Sequence, residues 1–434
     1  MLDKKIILWI ILICFGGMSV YTGDNRYKQS TDEYNKKIDI LEENIIGNYL
    51  KEDLWTTENI YDSGHVLQVP LEAAFRMNNI EWKNSFSNQF KRFVENYNAQ
   101  NSTIEKSRLN YLHYLNLSSR FISLAHEYGE LNLVHKDLPN IIYKDIMSIY
   151  FEEEAWQWER KPFRNMEERL QWKLENRKVD ESYYRAIIDE ELFIFAIAAN
   201  LRSYYIEDSS NNNLSEIESI LDLAFEVFSQ ESYFTDEGGW LFQPGVWEDH
   251  PDYKYAGNLR KLNNITPAPV QGISTDSSHF HRFPLFIKDF IRAYEEETEK
   301  KEFFIRMRDG LTIQLVDKVL VRPSEEFKAY RLNNYMDGRN GIYRWNYETQ
   351  GIGNGYGPYE LSGTFLLGWW GFLESDSVRE TYEYTLNQFP LDKNVIDIYV
   401  GPNTTRERNK YVRFPDFLEN GFAELICKLI VDMK

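Results

Sequence analysis

Apolar residues recur along most of the chain at the spacing of one face of an α-helix. The pattern is clearest over about 181–205, where Ile188, Leu192, Phe195 and Ala199 lie three or four residues apart. The same spacing predicts helices over about 104–128, 215–230, 284–298, 301–318, 361–374 and 412–432. Strand-like alternation is scarce, so the pattern predicts an all-α fold.

Two kinds of predicted helix alternate, and this indicates how they pack. Most carry a single apolar stripe, whereas Gly363–Leu373 is apolar on nearly every side and must be buried all round. Inner helices buried on all sides and outer helices with one stripe are the two layers of an (α/α) toroid. We therefore predict an (α/α) toroid of helical hairpins with little β-structure, in which Val395–Val400 is a candidate for a local hairpin.

The first 21 residues have the features of a targeting segment. Two lysines precede the apolar run Ile6–Phe15, whose length is typical of a signal peptide and short for a membrane-spanning helix of about 20 residues. We predict a signal peptide or N-terminal membrane anchor over 1–21, a lead-in helix over 22–44 and a single domain over 45–434. The protein is expected to be exported: periplasmic, on the cell surface, or tethered to the membrane through this segment alone.

Charge and composition narrow the classes of function. The 434 residues carry a formal net charge of -19, whereas nucleic-acid binding needs a basic surface, so nucleic acid is not an expected partner. Aromatic residues make up 15% of the chain, enough for a large core and also for a cleft whose rings stack on sugars. Cys14 lies in the leader and Cys427 in the last predicted helix, so no structural disulfide is expected.

Acidic residues begin three similar stretches at predicted helix starts. Asp62 leads to His65, Asp276 leads to His279, and Glu360 begins a weaker copy without a histidine. Helix capping is one explanation, because a carboxylate there accepts hydrogen bonds from the first-turn N–H groups. The intervals between the stretches approach multiples of a two-helix repeat of about 40–45 residues. In a toroid, the three stretches would therefore meet at one rim around a single cleft.

Residues 231–286 are rich in aromatic and titratable side chains, and long loops of this composition are more often functional than structural. The histidines follow no zinc-binding spacing, so no metal is predicted. The glycines of Gly351–Gly357 follow no βαβ pattern, and phosphate-binding and nucleophile-elbow motifs are absent, so no cofactor is predicted. The candidate residues in 231–286 are Trp240, Trp247, His250, Tyr255, Asn258, Asp276, His279, His281 and Arg282.

Two short runs resemble polysaccharide lyases with helical toroid folds. Residues 277–284 read Ser-Ser-His-Phe-His-Arg-Phe-Pro and resemble the Gly-Gly-His-Phe-Glu-Arg-Ser-Pro stretch of heparinase II/III-type lyases, with His, Phe, Arg and Pro in common. Residues 237–243 and 255–258 are similar to the Asp-Gly-Ser-Phe…Gln-His…Tyr…Gly run of chondroitin AC and hyaluronate lyases, but the Gln is displaced and Pro replaces the His. The two runs cover less than a fifth of the chain.

This resemblance implies β-elimination at a uronic acid. A base removes the proton α to the carboxylate, an acid protonates the leaving oxygen, and neutralising groups stabilise the enolate. By position, the base would be His279 or His250, the acid Tyr255 or Tyr253, and the neutralising groups Arg282 and Asn258.

Two alternatives stay open beside the lyase. An inverting glycoside hydrolase needs two carboxyl groups about 6.5–9.5 Å apart, and Asp62, Asp276, Glu348 and Glu360 are the candidates. A non-catalytic envelope protein that binds glycans would need no titratable groups, so the repeated acidic rim favours an enzyme. In each case, the predicted substrate-binding residues are Asp62, His65, Trp240, Trp247, Asn258, His281, Glu348, Tyr356 and Glu360.

Overall fold

The computed structural model describes residues 38, 40–99, 104, 107–158, 162–206, 213–296, 298–346, 353–402 and 409–433. The predicted leader, most of the lead-in and the loop over 209–212 lie outside these residues. The chain divides into two compact units, Met1–Asn48 and Tyr49–Lys434. In the first unit a π-helical turn spans Glu42–Gly47. No described helix combines the length and apolarity needed to cross a bilayer.

The structure is mostly helical, with 59% helix and 4% strand, so the coarse fold class agrees with the sequence prediction. The α-helices are α1 (Ile60–Val66), α2 (Gln68–Arg76), α3 (Ile80–Asn98), α4 (Arg108–Glu127), α5 (Leu138–Met147), α6 (Met166–Glu175), α7 (Asp189–Tyr205), α8 (Asn213–Glu231), α9 (Ser277–Phe280), α10 (Phe283–Ala293), α11 (Glu299–Gln314), α12 (Asp376–Leu386), α13 (Lys393–Val400), α14 (Asp416–Glu419) and α15 (Phe422–Asp432). Two antiparallel pairs of strands join β1 (Ser232–Phe234) to β2 (Trp240–Phe242) and β3 (Leu320–Val321) to β4 (Arg331–Leu332).

Several predicted elements differ from the structure. The apolar segment expected to be one helix over 361–374 is two 3-10 turns, Ser362–Leu367 and Trp369–Leu373. Gly368 separates them at a φ of 85°, and a Cβ there would lie 2.5 Å from Ile426, so the left-handed glycine both breaks the helix and permits close packing.

The helix expected over 412–432 is likewise divided into α14 and α15, with Gly421 at a φ of 94° between them. The helix expected over about 181–205 begins only at Asp189. Residues 395–400, where a hairpin was expected, are helical and belong to α13.

Helix α7 lies at the centre of the packing, and this position explains why nearly all of its sides are buried. It contacts α4, α8 and α10, and its side chains from Leu192 to Leu201 are all buried. Helix α4 in turn packs on α1, and α10 packs on α11 and on the turn Trp369–Leu373. A stripe facing one neighbour would leave the other faces of α7 uncovered, so apolar residues surround the helix.

The site residues are carried by short elements and loops next to these helices. Asp276 caps α9, where its carboxylate accepts hydrogen bonds from the N–H groups of Ser278 and His279, both at 3.1 Å. The same residue forms an isolated β-bridge with Tyr335. Backbone hydrogen bonds therefore join the loop before α9 to residues 334–336, which positions Asp276.

Candidate active site

Residues from distant parts of the chain surround one cavity of about 600 Å³, here called the first cavity. Its lining includes Tyr61, Asp62, His65, His279, His281, Arg282, Arg344, Tyr356, Glu360 and Arg413. All three acid-led stretches noted in the sequence contribute to this lining. The predicted convergence on one cleft is therefore observed, whereas a catalytic role for these residues stays a prediction.

A second cavity of about 510 Å³ adjoins the first. Its lining includes Arg108, Trp156, Trp158, Asp189, Glu190, Trp247, His250, Asp252, Tyr253, Thr275, Asp276, His279, Tyr343 and Arg344. His279 and Arg344 line both cavities. These two side chains therefore mark the boundary at which a ligand spanning both cavities would be closest to an imidazole and a guanidinium.

Asp276 and His279 form a carboxylate–imidazole dyad at this boundary. Nδ1 of His279 lies 3.0 Å and 2.9 Å from the two carboxylate oxygens of Asp276. Burial alone would raise the pKa of Asp276, but its interactions with His279 and the Arg344 guanidinium hold that pKa well below its usual range. The ionised carboxylate of Asp276 accepts a hydrogen bond from the N–H at Nδ1 of His279. In the neutral imidazole, the lone pair then lies on Nε2. Nε2 has no hydrogen-bond partner within the described ranges, and the side chain is 30% exposed.

Tyr253 holds Asp276 and is not placed to protonate a substrate. Its hydroxyl donates to Oδ2 of Asp276 at 2.9 Å and accepts from the Asp276 backbone N–H at 3.2 Å. The residue is buried, and burial raises its pKa well above the usual range, which keeps the phenol protonated. Its ring stacks on Trp247 at 5.8 Å. This corrects the expectation that Tyr253 could be the acid, because its proton is directed to Asp276.

Arg344 is a candidate residue that the sequence did not reveal. Its Nε donates to Asp252 Oδ2 at 2.8 Å, and its backbone N–H donates to the Asp252 carbonyl at 2.9 Å. The backbone φ of Arg344 is 55°, in the left-handed region that costs a non-glycine residue about 1–3 kcal/mol. Strain of this kind persists where the surroundings enforce it, and here the two bonds to Asp252 place the guanidinium between the cavities.

Arg282 forms an ion pair with Asp189, which lies at the start of α7. The Arg282 guanidinium donates to Asp189 Oδ2 and, from Nη2, to the Tyr61 hydroxyl at 3.3 Å. Burial would raise the pKa of Asp189, but the Arg282 charge lowers it. Arg282 therefore brings a stable positive charge to the first cavity and places the phenol of Tyr61 beside it.

The remaining histidines are less suited to proton transfer. Burial and the nearby Arg282 lower the pKa of His281 to about 3, so this imidazole is neutral. Nδ1 of His65 lies 2.9 Å from the Tyr61 carbonyl, and its ring packs 5.5 Å from Trp369. Burial also lowers the pKa of His250, whose Nδ1 accepts from the Asp252 N–H at 3.2 Å. In the part of the chain that the structure describes, no group of three or more His, Cys, Asp or Glu residues could hold a metal ion.

Three predicted site residues lie outside both cavities. Trp240 is fully buried against Phe280, and its indole N–H donates to Ser232 at 2.8 Å, so it is a core residue rather than a sugar platform. Tyr255 is buried, and its hydroxyl accepts a hydrogen bond from Asn346. The Asn258 side chain donates to the Thr266 carbonyl at 3.0 Å and stabilises its own loop. Glu348 lies outside the described residues.

The Glu360 carboxylate is held on the wall of the first cavity by two hydrogen bonds. It accepts hydrogen bonds from Lys261 Nζ and from the Gly357 N–H, both at 2.7 Å.

Comparison with known proteins identifies no relative, since no family model, curated protein or solved structure matches the chain.

Proposed function

We propose that the protein is an exported carbohydrate-active enzyme that cleaves a polysaccharide or oligosaccharide by lyase-type β-elimination. The observation that carries this proposal is the Asp276–His279 dyad, whose Nε2 is available where two sugar-sized cavities meet, beside the Arg344 guanidinium. A general base next to a fixed cation is what abstraction of a proton α to a carboxylate requires.

We further propose that the helices form the (α/α) toroid predicted from the sequence. The contacts of α1 with α4, α4 with α7, α7 with α10, and α10 with Trp369–Leu373 support an inner series in chain order. Trp369 donates from its indole N–H to the His65 carbonyl at 2.8 Å, which returns the series to α1. Helices α3, α8, α11 and α15 each pack on a member of this series or on α2, as an outer layer would.

In the proposed mechanism, Nε2 of His279 takes the proton from the carbon next to the uronate carboxylate. Arg344, supported by Arg282, stabilises the negative charge that develops on the carboxylate oxygens. The electron pair of the broken C–H bond forms the C=C bond as the C–O bond to the leaving sugar breaks. Tyr61, whose hydroxyl lies 3.3 Å from Arg282 Nη2, donates a proton to the leaving oxygen and regains one from solvent.

Inverting hydrolysis is the second candidate, favoured by one specific observation. Asp62 and Glu360 both line the first cavity. In this candidate Glu360, which two hydrogen bonds from Lys261 and Gly357 hold at the cavity wall, would be the base and Asp62 the acid. A third possibility is an envelope protein that binds a glycan without cleaving it.

Digestion of a glycan panel separates these candidates. The panel contains uronate glycans and neutral glycans, and products are followed by absorbance at the ultraviolet edge and by reducing-end assay. β-Elimination predicts a new absorbance with uronate glycans that is lost in His279→Asn. Reducing ends without absorbance would refute the lyase and direct attention to Asp62→Asn and Glu360→Gln. Retention on immobilised glycan with no product would indicate a binding protein.

Export is tested separately, because the leader lies outside the described residues. Expression of the full chain with N-terminal sequencing of the mature protein is expected to locate it outside the cytoplasm. A cytoplasmic chain that retains residues 1–21 would contradict this part of the proposal.

A further inference from the structure

The second cavity offers a ligand an aromatic surface. Trp156, which lines this cavity, is 55% exposed. The rings of Trp158 and Trp247, also in the lining, meet edge to face with their centroids 5.8 Å apart. Ile188 and Leu192 add apolar surface. Indole faces pack well against the C–H faces of sugar rings, and a volume of about 510 Å³ falls within the range of about 300–1,000 Å³ typical of small-molecule pockets.

The charged groups of the second cavity are already paired with each other or with neighbouring described residues. The closest pairs are Arg108 with Glu190 at 3.2 Å, Arg344 with Asp252 at 2.8 Å, Asp276 with His279 at 2.9 Å, and Asp189 with Arg282. A charged ligand would lose its hydration on entry and would have to compete with an existing ion pair for a counterion. That desolvation cost disfavours both anionic and cationic ligands relative to neutral ones.

Two side chains in the wall of this cavity have buried polar atoms without a partner among the described residues. They are the hydroxyl of Thr275, a residue that is 7% exposed, and the indole N–H of Trp247. Neither atom has accessible surface in the cavity, so a ligand there meets the apolar atoms of these two side chains rather than their polar ones.

We propose that the second cavity is a binding site for an uncharged sugar ring, next to the sugar that is cleaved. The position of this ring relative to the broken bond rests on the proposed function, whereas its binding does not. The substrate implied is a glycan in which a neutral residue adjoins the residue attacked by His279, rather than a polymer of uronic acids alone.

Binding of trisaccharides to the wild-type protein tests this inference. The probes are neutral trimers of glucose, mannose and N-acetylglucosamine, with a glucosamine trimer as the charged counterpart, and affinity is measured by calorimetry and tryptophan fluorescence. We expect at least one neutral trimer to bind at least tenfold more tightly than the glucosamine trimer. Trp156→Ala should weaken that binding about tenfold, because it removes a stacking ring.

The matched control is Tyr233→Ala, since Tyr233 is 52% exposed on β1 and lies outside the lining of the second cavity. It should leave the affinity unchanged. Tighter binding of the glucosamine trimer, no binding of any neutral trimer, or equal affinities of the wild type and Trp156→Ala would overturn the inference. The three neutral trimers contain no uronate and cannot undergo the proposed elimination. Failure of the enzyme to cleave any glycan would therefore refute the proposed function and leave the binding result standing.

Discussion

Two regions of the molecule are built from the same kinds of charged residue but differ in what they leave available. In the first, here called the buried network, Arg120 bridges Glu72 and Asp289 inside the helical layer. In the second, the Asp276–His279 dyad lies at the boundary of the two cavities. Arg120 and Asp289 have no solvent exposure, whereas the His279 side chain is 30% exposed.

The two regions differ in whether the partner of the carboxylate keeps an unpaired atom. In the buried network, Asp289 accepts from Arg120 at 3.3 Å and from Asn200 at 3.1 Å, and Glu72 also binds Lys288 at 2.7 Å. Burial would raise the pKa of Glu72, but Lys288 and the nearby arginines hold it well below the usual range. In the dyad, the carboxylate is equally saturated, yet the imidazole keeps one free nitrogen. The comparison teaches that a buried ion pair stabilises the fold, whereas the same pair beside a cavity can orient a base.

The largest expected effect is on the buried network. Arg120→Met leaves Asp289 buried without its main cation, which should lower the free energy of unfolding by about 3–5 kcal/mol. Denaturant unfolding at neutral pH measures this. The control is Lys393→Met, because Lys393 is 88% exposed in its pair with Asp397 and should change stability by less than about 0.5 kcal/mol. A loss of less than about 1 kcal/mol in Arg120→Met would mean that the network is not a main support of the fold.

The opposite pattern is expected in the dyad. His279→Asn removes the available nitrogen and should lower turnover about 10²–10³-fold, in the range found for general bases. Because the Asn amide can still donate to Asp276, the free energy of unfolding should fall far less than in Arg120→Met. Arg282→Ala would be a less clean test, because it leaves Asp189 without its ion-pair partner. His250→Asn is the matched control, with a smaller expected effect because His250 lines only the second cavity. Equal losses in the two histidine variants would remove the assignment of His279 as the base.

The pH dependence of stability separates the buried histidine from the dyad. The folded-state pKa of His281 is about 3 against an ordinary value of 6.5, so the unfolded chain binds a proton that the folded chain does not. Its contribution is fully present above pH 6.5 and is lost as the pH falls toward 3, at up to about 1.4 kcal/mol per pH unit. Unfolding measured between pH 6.5 and 4.5 should show this slope, and His281→Gln should reduce it. An unchanged slope in the variant would show that His281 does not cause the loss.

Sequence patterns predicted the cleft where the signal was local. Asp276 and Glu360 could be found because each precedes a helical or turn segment, and a helix start limits which side chains can satisfy its N–H groups. Asp62 lies in the first turn of α1 rather than before it. Trp240 could not be distinguished from Trp247 in this way, since both are aromatic residues in the same loop-rich stretch. Only the packing shows that Trp240 fills the core.

Arg344 was missed for a different reason. Its position depends on a left-handed backbone and on Asp252, 92 residues earlier in the chain, and neither produces a periodic pattern in the sequence. The helices were predicted well where one amphipathic pattern ran unbroken, as in α4 and α8. The segment 361–374 was predicted less well, because Gly368 interrupts it at a position where the chain packs closely against Ile426.

The smallest expected effect sharpens the comparison within the dyad itself. Tyr253→Phe keeps the ring that stacks on Trp247 but removes the hydroxyl bound to Asp276, so the carboxylate loses one donor and its backbone N–H loses an acceptor. We expect turnover to fall about tenfold, corresponding to about 1.4 kcal/mol, because His279 is oriented less well. Nitrogen NMR of the imidazole should show the proton on Nδ1 in the wild type, a mixture of tautomers in Tyr253→Phe, and loss of the Nδ1–H form in Asp276→Asn. If all three proteins kept the same tautomer, Tyr253 would be a packing residue only. Orientation of the base would then depend on the cap of α9, whose backbone contacts to Asp276 these substitutions leave in place.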